Sequence, residues 1–146
     1  MLPMLGKVLG LVGVGALALA LSGGIAWAGT QKLVIQVSTD DARTQAIALN
    51  NAVNVQKALG PGNVEIEIVA YGPGLSMLTN KSKHLDRVSS LAQNEGLVFS
   101  ACGNTMKKMT QKTGQQPVLI EGIKVVQAGV LRIMELQQQG WAYVRP

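Results

Sequence analysis

Ser100-Ala101-Cys102-Gly103-Asn104-Thr105-Met106 holds the only cysteine of a 146-residue chain, and the fold can be read outward from it. On its amino-terminal side, Leu97-Val98-Phe99-Ser100-Ala101 is an apolar run between Gly96 and the Gly103-Asn104 break, which predicts a short buried strand. On the other side, Asn104 or Thr105 is expected to cap a helix that continues through Met106-Lys107-Lys108-Met109-Thr110. Cys102 is therefore predicted at the carboxyl end of a strand, immediately before a helix N-terminus. Unpaired backbone N–H groups and the helix dipole favour a thiolate at such a position. Lys107 and Lys108 would add to the effect by folding back towards the sulfur. The competing reading is a small buried hydrophobe with no chemistry, a common use of a free cysteine.

Met1 to Ala28 reads as a signal peptide. Lys7 gives a positive start, Val8 to Leu21 is an apolar stretch, and Ala26-Trp27-Ala28 fits the small-x-small rule for cleavage before Gly29. The apolar stretch is short for a span of about 20 residues and is interrupted at Ser22-Gly23-Gly24, so no stable membrane anchor is expected. The expected location is the periplasm, and residues 29–146 are expected to form a single domain. In an exported chain, an unpaired cysteine points to a reactive thiol or an intermolecular disulfide, and we take the first.

The formal net charge of +5 is spread along the chain, with loose clusters at Lys81, Lys83, Arg87 and at Lys107, Lys108, Lys112. Dense basic patches interleaved with aromatic residues are missing, so nucleic acid is not an expected partner. One cysteine and one histidine do not make an ordinary zinc site, and no cofactor or metal is called for. The lack of a Cys-x-x-Cys pair excludes a self-contained thioredoxin-type cycle. Gly10, Gly13 and Gly15 imitate a nucleotide fingerprint, but no strand precedes them. His84 and Asp86 fall on a polar helix start and read as surface residues.

Taken in order, Lys32 to Ser38 is a strand, and Thr39-Asp40-Asp41 supplies capping oxygens for a helix from about Ala42 to Leu59. Val64 to Tyr71 is a second strand, whose alternating Glu65 and Glu67 predict one exposed face. Gly72-Pro73-Gly74 turns into a short helical piece at Leu75–Leu78, and a further helix spans Leu85 to Ala92. Gly122 to Val126 is the preferred fourth strand. Gly129 to Gln139 is a helix with Val130, Ile133 and Met134 expected inward, and Trp141 to Val144 is a closing edge strand. This alternation is the pattern of a parallel sheet covered on both faces, with ligands at the carboxyl ends of its strands. Three loops are expected to meet there, carrying Asp40, then Tyr71, Gly72 and Gly74, then Cys102, Gly103 and Asn104. Their glycines would let backbone N–H groups approach a ligand, and Asp40 or Tyr71 would orient it. The plain alternative is that the aspartates cap a helix and the glycines turn the chain.

The order of elements, the Tyr71-Gly72-Pro73-Gly74 turn, the Phe99-Ser100-Ala101-Cys102-Gly103-Asn104-Thr105-Met106 run and the Gly140-Trp141-Ala142-Tyr143-Val144-Arg145-Pro146 ending together resemble the DsrE/DsrF-like family, including its YchN-type members. The likeness is to small exported members. It implies a three-layer α/β/α sandwich with a mainly parallel five-stranded sheet, and homo-oligomers such as trimers or hexamers. In sulfur-trafficking members a cysteine after a strand carries sulfur as a persulfide, and Cys102 matches that position. The resemblance thus implies a sulfur carrier or sulfurtransferase-like protein. Cys102 would be the acceptor, Gly103, Asn104, Thr105, Asp40, Tyr71, Gly72 and Gly74 would line the cleft, and a small sulfur species or a sulfur-donor protein would be the partner. The alternative is a non-catalytic oligomeric module that binds a ligand or a protein, with Cys102 as packing.

Overall fold

In the computed structural model, which describes residues 29–146, the chain alternates strands and helices throughout. The predicted signal peptide and the glycines at 10, 13 and 15 lie outside the described residues. Strands β1 (Gln31–Val37), β2 (Val64–Ala70), β3 (Leu97–Cys102), β4 (Lys124–Val126) and β5 (Ala142–Val144) form one sheet in the order β4-β3-β2-β1-β5, all parallel. Helices α1 (Ala42–Leu59), α2 (Leu85–Leu91), α3 (Gly103–Thr113) and α4 (Gly129–Gln138) connect them, with a 3-10 helix at Gly72–Leu78.

The strand order dictates the layers. From β1 to β4 each strand is added on the same side of the last, and right-handed crossovers then place every connection on one face of the sheet. The final connection returns across the sheet to β5, so α4 must lie on the opposite face. Packing follows this division. Ile35, Ile66, Ile68 and Phe99 meet Leu49 of α1, Leu75 of the 3-10 helix, Val88 of α2 and Met106 of α3 in the larger core. Val34 and Val69 meet Ile133 and Leu136 of α4 in a smaller one. The result is the three-layer sandwich.

Local signals explain the boundaries. Asp41 caps α1, its Oδ2 accepting the Thr44 N–H at 2.7 Å, and this bond holds its carboxyl below the usual range. Gly60 ends that helix at φ 91°, a backbone that L side chains rarely adopt.

Two sequence expectations are corrected here. Glu67 is not on an exposed face: it is buried at 3% exposure, while Glu65 is exposed as expected. Arg132 of α4 reaches it through two bonds, Nε to Oε1 and Nη2 to Oε2, both 2.8 Å, and Ser100 Oγ donates to Oε1 at 2.7 Å. A carboxylate satisfied this fully can sit under a helix. The second correction concerns α4 itself. Gly129, Ile133 and Leu136 face the sheet, whereas Val130 and Met134 are more than half exposed. Close approach at Gly129 and the Arg132–Glu67 pair fix the rotation of the helix, and they overrule its apolar pattern.

Candidate functional site around Cys102

The site begins with the chain path at the end of β3. Cys102 is the last residue of the strand and, at φ −72° and ψ 114°, also the N-cap of α3. The cap is therefore two residues earlier than Asn104 and three earlier than Thr105, and Gly103-Asn104 open the helix instead of breaking the chain. A side chain at Gly103 would be crowded: a Cβ there would lie 3.0 Å from the Val126 carbonyl oxygen. Its absence lets the end of β3 lie close to the end of β4.

At this point the fold changes sides. The connection leaving β3 runs over one face of the sheet as α3, and the connection leaving the neighbouring β4 runs over the other as α4. Adjacent strands whose connections part in this way leave a crevice at their carboxyl ends, the usual ligand position in parallel sheets. Cys102 occupies it, and α4 brings its own N-terminus there, with Ala128 as N-cap and Gly129 first in the helix. Gly129 gets close because it has no side chain. A Cβ would sit 2.9 Å from Cδ1 of the Tyr71 ring.

Two helix N-termini thus face one sulfur. Burial pushes the thiol up, since an ionised sulfur loses hydration, but nearby N–H and O–H groups outweigh it and Cys102 is lowered from its ordinary value. The groups that lower it are the Thr105 hydroxyl, then the N–H groups of Gly129, Thr105 and Asn104, although as N-cap Cys102 accepts no capping hydrogen bond from α3. The Asn104 N–H also points at the Gln127 carbonyl, 3.2 Å away, and is the weakest contributor. The Thr105 hydroxyl is oriented by its other partner. Its oxygen accepts the Gly72 N–H at 2.9 Å, which leaves its proton free to face the sulfur. Gly72 reaches this position at φ 54°, in the left-handed region.

The structure brings together some of the residues singled out in the sequence and sets the others apart. Thr105, Gly72, Tyr71, Gly103 and Asn104 surround Cys102 or position what does. Tyr71 directly follows β2, where the register Ala70↔Ala101 sets it level with Cys102. Gly74 is buried against the end of β1 and serves packing. Asp40 is exposed on the loop after β1, two strands from β3 and so about 10 Å away across the sheet. Lys107 and Lys108 are exposed on α3, and neither is among the groups that lower the thiol. His84 starts α2, its ring nitrogen Nε2 3.0 Å from the Ala42 carbonyl. Gly129 is the residue that sequence reasoning missed. Its only signal is the order of elements, which sends α4 across the second face.

Among the described residues no group of three or more His, Cys, Asp or Glu side chains could hold a metal ion. No helix among them is long and apolar enough to cross a membrane.

The family model for the DsrE/DsrF-like family matches residues 31–146. The chain belongs to the DsrE/DsrF-like family. A solved structure of the same fold is that of MTH1491, a protein of unknown function from Methanobacterium thermoautotrophicum. It is 34% identical, aligns with 80% of this chain and 99% of its own, and superposes with a TM-score of 0.70. No curated protein matches the chain. Family membership accounts for the five-stranded parallel sheet, and the chemistry has to be argued from Cys102 and its surroundings.

Proposed function

We propose that the protein is an exported sulfur carrier, or a sulfurtransferase-like protein, in which Cys102 accepts sulfane sulfur as a persulfide. One observation carries this reading: the only thiol in the chain sits where two helix N-termini and the Thr105 hydroxyl favour its ionised form. A thiolate is the nucleophile that such a transfer needs. Cys102–S⁻ attacks the outer sulfur of a donor R–S–SH, the donor's S–S bond breaks, and R–S⁻ leaves while Cys102–S–SH forms. The same N–H groups that hold the thiolate would hold the persulfide anion. The transfer needs no outside oxidant and no cofactor. Export rests on the amino-terminal pattern of Lys7, the apolar stretch and Ala26-Trp27-Ala28.

A second reading, a non-catalytic oligomeric binding module, has its own support. Cys102 is only 5% exposed, and Val130, Leu131 and Met134 stand outward on one side of α4. A patch of this kind is suited to contact between copies of the chain.

Intact-mass spectrometry after incubation with polysulfide separates the two readings. The carrier reading expects a reductant-sensitive gain of sulfur in the wild type and none in Cys102→Ser. No adduct, together with slow alkylation of the native thiol, would leave the binding module.

A further inference from the structure

Next to the thiol site lies a groove of about 510 Å³ between the 3-10 helix and α3. Tyr71, Pro73 and Met109 give it an apolar wall, and Lys108 and Lys112, one helical turn apart, line it with positive charge. No aspartate or glutamate lines it, and among the described residues neither lysine is in an ion pair. The groove and the sulfur share a wall. Thr105 lines the groove and is the foremost group that lowers the Cys102 thiol, Gly72 lines it and donates to Thr105, and Tyr71 lines it level with Cys102 on the next strand.

We infer that this groove docks the sulfur donor, and that the donor is a small organic anion. Its negative group rests at Lys108 and Lys112, its carbon skeleton lies on Tyr71, Pro73 and Met109, and its sulfur end is directed to the Thr105 wall. The inference rests on the carrier reading and adds the class of donor. Its grounds are size and charge. The volume suits a molecule of small-ligand dimensions, and two unpaired lysines over an apolar wall suit an anion with an apolar body. On contact, the Cys102 thiolate takes the donor's outer sulfur and an anionic thiolate departs, so the lysines hold charge on the donor before and after transfer.

The test compares the rate of Cys102 sulfuration by glutathione persulfide, whose skeleton carries carboxylates and is net negative, with that by cysteamine persulfide, whose skeleton carries only an ammonium group. Both lysines are exposed, so the Lys108→Ala/Lys112→Ala variant should fold as the wild type does. It is expected to lose about five- to tenfold of the glutathione persulfide rate, with little change for cysteamine persulfide. Lys108→Arg/Lys112→Arg should restore the rate, and added salt should erode the wild-type preference. Equal rates in wild type and alanine variant, with the adduct still formed, would overturn the groove and leave the carrier reading standing. No adduct from either donor in the wild type would overturn the carrier reading and the groove's role with it.

Discussion

Arg132→Met is expected to lower the unfolding free energy by about 2–3 kcal/mol, because it leaves the Glu67 carboxylate buried without its cation. The Glu67 side chain is 4% exposed and that of Arg132 30%, so the pair is less costly to break than a fully buried one. The double variant Glu67→Leu/Arg132→Met should recover most of the loss, since it removes both charges together. The pH dependence follows from the direction in which Glu67 is shifted. Burial raises its carboxyl, but bonds from Arg132 and Ser100, with the charges of Arg132 and Lys124, bring it below its ordinary value. Its stabilisation is therefore complete above the ordinary carboxylate range and lost as pH falls through the lowered value. Urea unfolding of the three proteins near pH 7 and at acidic pH checks this: the gap between wild type and Arg132→Met should narrow on acidification. A gap that stays constant would mean the pair does not hold α4 through charge.

Gly74→Ala is expected to cost about 3 kcal/mol or more, for a reason of space. An added Cβ would lie 2.6 Å from the Val37 carbonyl carbon and closer still to its oxygen. That oxygen accepts the Tyr71 N–H at 3.1 Å, the last bond between the ends of β1 and β2. The backbone has to part there, which moves Tyr71 and with it the seat of Gly129. Thermal unfolding should show the loss, and alkylation of Cys102 in the folded fraction should slow. Wild-type stability would show that the end of β1 has room that the packing denies.

The sequence discloses the site's local half and hides the half that comes from distant parts of the chain. Helix α1 is legible to the residue, because Asp41 and Gly60 punctuate it and an apolar face runs between them. The place of Cys102 at a strand-to-helix turn is legible for the same reason: Leu97 to Met106 carries all of its signals within a few residues. Glu67 is not legible, since its alternation with Ile66 and Ile68 is that of a half-exposed strand. Only a guanidinium 65 residues further along makes its burial tolerable. The face of α4 is misread because Val130 and Met134 look like core, while Gly129 and Arg132, which actually set the rotation, carry no apolar signal. The approach of α4 to Cys102 depends on the strand order, and a three-residue β4 gives little warning of it.

The direct test of the central claim is the pH titration of Cys102, read as the rate of alkylation by iodoacetamide in wild type and in Thr105→Val. The account predicts a wild-type midpoint below that of a free cysteine, about 8.5. In Thr105→Val, loss of the hydroxyl that favours the charged sulfur should raise the midpoint and slow the reaction near neutral pH by about tenfold. A wild-type midpoint at or above that of free cysteine, unmoved in Thr105→Val, would show that burial prevails and that Cys102 is a neutral packing residue.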